Sequence, residues 1–326
     1  MMINRRKFLS LSLVSAGLAG CSKKPVAADA PVRFGHFPNI THVQALVAHQ
    51  LSRQGKGWYE PRLRVPVEWY TYNAGPSATE AIFGGALDVT YIGPSPVLNA
   101  YARSKGAEMR VLAGAANGGS SLLVRPAAGI KTFADFRGKK VASPQLGNTQ
   151  DVQLRALLAA NGYAITQTGG EVTVLPTQNA DLLSLFQQGE LDAAWAPEPF
   201  ASVLELEGGA TNFLEDRDTN VTMLVSSAAF LKDRPEVAKK LAAAHRELTA
   251  WIIANFEEAR QLLVAEIAAL TTKEPKAAVV DKALSRTILT NDVSRESLEK
   301  MVAGAKAAGF LREFPPMDPL LSVLSL

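Results

Sequence analysis

From Val32 onward, short apolar runs alternate with longer stretches whose apolar residues recur every three or four positions. The short runs predict strands over 32–37, 65–70, 88–92 and 109–115, then over 122–125, 140–143, 172–175, 192–196 and 221–226. The amphipathic stretches predict helices over 41–53, 77–84, 96–104, 149–160 and 180–188. Alternation of this kind builds mainly parallel α/β sheets. Beyond Pro235 the pattern is helical only, clearest over 236–255, 257–270 and 294–308.

One stretch of this pattern occurs twice. Gly85-Ala86-Leu87-Asp88-Val89-Thr90-Tyr91-Ile92 is echoed by Gly189-Glu190-Leu191-Asp192-Ala193-Ala194-Trp195-Ala196. Both run into a proline-bracketed loop, Pro94-Ser95-Pro96 and Pro197-Glu198-Pro199, with Gly93 as one extra residue in the first copy. Each is preceded by a short helix that starts at a polar turn, Asn73-Ala74-Gly75-Pro76-Ser77 or Thr177-Gln178-Asn179. The repeat predicts two similar lobes, each with its own sheet. In open α/β sheets, ligands bind beyond the C-terminal strand ends, where helix N-termini offer free N–H groups to anions.

The first 31 residues follow other rules. Residues 1–20 carry Arg5, Arg6 and Lys7, no acid, and an apolar run from Phe8 to Ala19 too short to span a membrane. Leu18-Ala19-Gly20-Cys21 has the form of a lipoprotein processing box, in which Cys21 would be lipidated and become the N-terminus. A polar, Pro/Ala-rich tether follows over 21–30. Arg5-Arg6-Lys7-Phe8-Leu9 also looks like a twin-arginine export signal, although a general-secretion signal can carry two arginines as well. Either route places the mature chain outside the cytoplasm. Two acyl chains on one cysteine suffice for stable anchoring.

Charge and composition sharpen this division. The 326 residues hold 34 Lys+Arg against 31 Asp+Glu, a formal net charge of +3. Without residues 1–20 the basic and acidic residues balance, so the body is neutral and shows none of the basic excess of a nucleic-acid binder. With Cys21 assigned to the anchor, no cysteine remains for a disulfide or metal centre. His36, His42 and His49 cluster in the first strand and helix. His42 and His49, seven apart, have no acidic partner at i+4, so their spacing predicts packing or surface roles and no metal site. His36 lies nearer the expected cleft. The mature chain also lacks a His-x-x-x-His pair, a Gly-x-Ser-x-Gly elbow and a Walker loop, which argues against an exported enzyme. No cofactor is expected.

Five segments together carry a family resemblance: Phe34-Gly35-His36-Phe37-Pro38-Asn39-Ile40-Thr41-His42, Asn73-Ala74-Gly75-Pro76, Tyr91-Ile92-Gly93-Pro94-Ser95-Pro96, Pro144-Gln145-Leu146-Gly147-Asn148-Thr149-Gln150-Asp151 and Trp195-Ala196-Pro197-Glu198-Pro199. In this order they resemble the substrate-binding proteins of ABC importers, in the nitrate, aliphatic sulfonate and taurine branch. The resemblance runs from the signal to about residue 310. It implies a type II periplasmic-binding-protein-like fold of two α/β lobes joined by two crossing strands. Lobe one would take 31–117 and 226–326, and lobe two 118–225, with Gly118-Gly119-Ser120 and Val221–Ser226 as crossings. It further implies capture of a small oxyanion, an aliphatic sulfonate or taurine, in the interlobe cleft and delivery to a permease with its ATPase; with the Cys21 anchor, a lipid-tethered monomer is expected. Nitrate, a thiamine-pyrimidine precursor, a purely sensory role and an exported enzyme stay open alternatives.

The residues expected to hold the ligand lie at the strand-to-helix turns. Asn39 follows the first strand; it either contacts ligand or shapes the Pro38 turn. Gly75, Pro76 and Ser77 open a helix, and Ser95 offers a hydroxyl and an N–H while also suiting a cap. Gly147, Asn148, Thr149 and Gln150 form the densest polar cluster at one helix start, more than capping alone requires. Trp195 could wall an alkyl chain or belong to the core. Glu198 would face an amine, sit in a structural ion pair, or lie outside the pocket, since a carboxylate beside an anion is costly.

Overall fold

The strands divide between two sheets in the computed structural model, which describes Ala27, residues 29–167 and residues 169–324. The expected export signal and Cys21 lie outside the described residues. The first sheet contains β1 (Val32–His36), β2 (Val67–Thr71), β3 (Val89–Ile92), β4 (Arg110–Gly118), β10 (Asn220–Ser226) and β11 (Thr287–Leu289), in the order β11-β4-β10-β3-β1-β2. The second contains β5 (Ser120–Val124), β6 (Lys140–Ser143), β7 (Thr173–Pro176), β8 (Ala193–Pro197) and β9 (Thr211–Asp216), in the order β7-β6-β8-β5-β9.

Each sheet has the same parallel centre, β2-β1-β3 in one and β7-β6-β8 in the other. An antiparallel strand adjoins each: β10 lies beside β3, and β5 beside β8. The internal repeat therefore maps β3 onto β8. Alternate residues point to opposite faces, as a pleated strand requires. On β10, Leu224 enters one core cluster while Met223 and Val225 enter the other. On β8, Ala193 and Trp195 face one core, Ala194 and Ala196 the other.

Helices cover these faces. The first lobe carries α1 (Val43–Arg53), α2 (Tyr59–Leu63), α3 (Gly75–Phe83) and α4 (Pro94–Arg103); the second carries α5 (Thr149–Ala160), α6 (Leu182–Gln187) and α7 (Phe200–Leu206). The C-terminal part adds α8 (Ala228–Asp233), α9 (Pro235–Ala254), α10 (Phe256–Thr271), α11 (Ala277–Arg286), α12 (Arg295–Ala307) and α13 (Asp318–Leu321). Helices α9 and α10 pack with α1 over the first sheet, and α12 packs on both α4 and α5.

Two departures from the sequence pattern matter. Val221–Ser226 does not cross between lobes; all of β10 pairs inside the first sheet, so the second crossing lies at 217–219. The C-terminal part is also not purely helical, because β11 adds a short edge strand to β4. The first crossing is at Gly119, between β4 and β5. Gly118 and Gly119 have φ of 67° and 68°, and a Cβ on Gly119 would sit 2.7 Å from Thr41 Cγ2. Conformation and space both demand glycine there.

Candidate ligand site between the lobes

The C-terminal ends of all six parallel strands point into the gap between the sheets. The turns after β1, β2 and β3 bring Phe37, Asn39, Thr41, His42, Asn73, Ala74, Gly75, Gly93 and Pro96 to one side of a small cavity. Those after β6, β7 and β8 bring Pro144, Asn148, Thr149, Gln150, Asn179 and Pro197 to the other. The cavity measures about 20 Å³, room for little more than a water molecule or two. The lobes close on it through direct bonds. Asn73 Nδ2 donates to the Pro144 carbonyl at 3.2 Å, and the Asn179 amide donates to Asn73 Oδ1 at 3.4 Å. The Ser77 hydroxyl pairs with the Gln145 side chain, and the Ser95 amide donates to Thr149 Oγ1 at 3.4 Å.

The electrostatics come from dipoles. Among the described residues lining the cavity there is no lysine, arginine, aspartate or glutamate. Three helices of nine or more residues start at the wall: α3 at Gly75, α4 at Pro94 and α5 at Thr149. Their N-termini carry partial positive charge, and α3 and α5 add first-turn N–H groups; in α4, Pro94 and Pro96 have none and the Ser95 amide is taken by Thr149 Oγ1, so that helix contributes its dipole. His42 is neutral: burial first, then the neighbouring His36, pushes its pKa well below the usual histidine value. Its Nδ1 and the Oδ1 atoms of Asn39 and Asn179 are buried without a hydrogen-bond partner.

The α5 turn is built from within. Asp151 accepts from Ser143 Oγ at 2.8 Å, from the Gly147 amide at 2.8 Å and from Arg155 Nε at 3.1 Å. This fixes the left-handed Gly147 (φ 77°) and presents Asn148 at the helix start. Asn148 Oδ1 then caps α5 by accepting the Asp151 amide, while its Nδ2 donates to Gln150 Oε1. Gly93 sits against this turn from the other lobe; a Cβ there would collide with Thr149 Oγ1.

Of the residues anticipated from sequence, Asn39, Gly75, Asn148, Thr149 and Gln150 line the cavity together. Pro76 and Gly147 line an adjoining outer groove with Arg103, Lys105 and Arg312. Ser77 is engaged with Gln145, and Ser95 is buried with its hydroxyl unpartnered. Two residues fall elsewhere. Trp195 belongs to the core of the second lobe and donates Nε1 to Ser120 Oγ at 2.6 Å, much as Tyr91 is buried in the first. Glu198 is fully buried in an ion pair with Arg286 at 3.2 Å, away from the cavity lining. Burial raises its pKa, opposed by hydrogen bonds from Ser202 and by Arg286.

Thr41, His42, Asn73 and Asn179 also line the cavity but were not among the ligand residues expected from sequence, where His42 had a packing or surface role. The repeat held the signal for two of them, since Asn73 and Asn179 occupy matching turns in its two copies.

The NMT1-like family model matches residues 26–269. The chain belongs to that family. A binding protein of Brucella abortus is 26% identical over 320 residues, covering 95% of this chain and 90% of the relative. A relative from Escherichia coli, named as an aliphatic sulfonates-binding protein, is 29% identical over 260 residues, 77% of this chain and 74% of its own. Among solved structures, the alkanesulfonate-binding protein of Xanthomonas axonopodis pv. citri bound to MOPS superposes with a TM-score of 0.73 at 21% identity, covering 91% of this chain and 99% of that one. That likeness establishes the two-lobed fold. No helix among the described residues is long and apolar enough to cross a membrane.

Proposed function

We propose that this NMT1-like protein is the extracytoplasmic solute-binding component of an ABC importer, and that it carries a small oxyanion, an aliphatic sulfonate or taurine, to a membrane permease and its ATPase. The observation that carries this reading is the convergence of three helix N-termini, from both lobes, on one uncharged amide- and hydroxyl-lined cavity. Neutral donors and helix ends bind oxyanions without a countercharge. The sulfonate class comes from the names of the relatives. On this reading the role of the site is capture and release.

Taurine fits one feature that a simple alkanesulfonate does not. Asn39 Oδ1 and Asn179 Oδ1 are buried acceptors without donors, and an ammonium group would supply them. On the same reading, the signal is removed before Cys21, whose lipid anchors the chain through the 21–30 tether. A cavity of about 20 Å³ admits a sulfonate only when the lobes part, so binding is coupled to hinge motion at Gly118–Gly119.

A thermal-shift panel of taurine, ethanesulfonate, nitrate, bicarbonate and an aminopyrimidine tests the ligand class. A ligand held only by the folded state adds about 2.7 kcal/mol at a hundredfold excess over Kd. The reading expects a rise of several degrees with sulfonates, largest with taurine. A rise with the aminopyrimidine alone, or with none of the oxyanions, refutes it.

A further inference from the structure

Away from the cavity, three buried side chains from distant parts of the chain meet behind β1. His36 Nε2 lies 2.9 Å from His49 Nδ1, which lies 2.7 Å from Glu266 Oε1. The ligating atoms of all three lie within 4.8 Å of one another. His36 comes from β1, His49 from α1 and Glu266 from α10. Spacing within the first helix offered no acidic partner for these histidines; the fold supplies one from α10.

Protons alone serve this cluster poorly. His36 Nδ1 faces the Phe37 carbonyl at 3.3 Å, which favours a proton on Nδ1 and leaves the Nε2 lone pair turned toward His49. His49 Nδ1 has one in-plane site, for a hydrogen or a lone pair, yet it faces both His36 Nε2 and Glu266 Oε1. A hydrogen there points along the His36–His49 line, and Glu266 Oε1 is left with no hydrogen-bond partner although Glu266 is fully buried. An orphaned carboxylate oxygen beside two imidazole nitrogens wants a cation.

We propose that His36 Nε2, His49 Nδ1 and Glu266 Oε1 bind one divalent transition metal of the zinc class. Two imidazoles and a carboxylate form a ligand set that such ions take, with a fourth position left for water. Ligands at ~2.0–2.2 Å around a tetrahedral ion stand roughly 3.3–3.6 Å apart, so the 2.9 and 2.7 Å separations would open by about half an ångström on binding. The outer shell is in place. Arg53 Nε donates to Glu266 Oε2 at 2.8 Å, orienting the carboxylate so that Oε1 faces the histidines. Trp69 stacks on His49 at 5.0 Å and meets His36 edge-on at 5.6 Å, holding both rings. His49 keeps 9% of its surface exposed, so the cluster is not wholly sealed from solvent. The metal would tie β1, α1 and α10 together directly behind Phe37 and Asn39, and so stiffen one wall of the cavity.

The test uses the full chain, purified without a histidine tag, stripped with chelator and titrated with Co2+ and then Zn2+. One equivalent of Co2+ should give visible ligand-field absorption, Zn2+ should bleach it, and Zn2+ should raise the melting temperature. His49→Gln and Glu266→Gln should each weaken binding by about tenfold or more. X-ray absorption of the Zn2+ adduct should count two imidazole ligands, a readout that stands even if a variant fails to fold. No absorption and no thermal shift in the native chain, undiminished binding in both variants, or an adduct with fewer than two imidazoles overturns the site.

Discussion

Asn148 accepts the Asp151 amide through Oδ1 and donates to Gln150 through Nδ2, so its two ends can be tested apart. Asn148→Ala removes the cap and should cost about 1 kcal/mol of stability, with about 1–3 kcal/mol of binding lost besides. Asn148→Asp keeps the capping oxygen, so its stability in urea should stay near native. Its carboxylate should nevertheless repel an oxyanion more than alanine does. Equal affinity in both variants and the native chain would remove this turn from the binding site. His245 supplies a pH signature. Its Nε2 donates to the Gly114 carbonyl at 2.7 Å and its Nδ1 accepts from Tyr91, which holds it neutral. Burial lowers its pKa to about 4. Between that value and the ordinary 6.5 the unfolded chain binds the proton and the folded chain does not, so stability falls as pH drops through this window. His42 acts in the same direction. Urea midpoints at pH 7, 6 and 5 should decline, and His245→Gln should flatten the decline. The polar turns were legible in the sequence because Gly, Asn, Thr and Pro announce strand-to-helix turns. The fates of Trp195 and Glu198 were not, because an aromatic or a carboxylate at a strand end reads the same whether it faces core, partner or ligand.

At the scale of elements, the ion pair that takes Glu198 out of the site joins the lobes. Arg286, at the end of α11, reaches Glu198 at 3.2 Å, Glu205 of α7 at 2.5 Å and Glu215 of β9 at 3.1 Å. Against the upward pull of burial, hydrogen bonds from Arg286 and Lys282 hold the Glu205 carboxyl below its ordinary pKa. Arg286→Ala leaves these carboxylates without their shared cation and should destabilise the chain by about 3–5 kcal/mol in chemical denaturation. A loss under about 1 kcal/mol would mean that solvent screens the cluster as it screens a surface pair. Most elements were readable from periodicity, α5 to the residue. Strands β9 and β11 were missed for physical reasons. Thr211–Asp216 is a half-buried edge strand ending in two acids, and Thr287–Leu289 is three residues running straight on from α11. Pairing with β5 and β4, rather than local propensity, makes them strands.

For the whole molecule, the repeat between β3 and β8 revealed two lobes, and the fold turns that symmetry into a cleft with one asparagine contributed by each matching turn. The lobe boundary was less legible, because β10 is as apolar as a crossing strand would be, and only its partners show that it stays in the first sheet. Closure itself has a clean probe in Gly93, whose φ of −72° any residue can adopt but whose missing side chain makes room for Thr149 of the opposite lobe. The central claim is that the cleft between the lobes captures an oxyanion with neutral donors from both of them. Calorimetric titration of the native chain with taurine and ethanesulfonate, with Gly93→Ala beside it, measures this most directly. Saturable one-to-one binding in the native chain, clearly weakened in Gly93→Ala while its melting temperature stays near native, is the predicted result. Absence of binding heat with either sulfonate, or equal affinity in both chains, would contradict it.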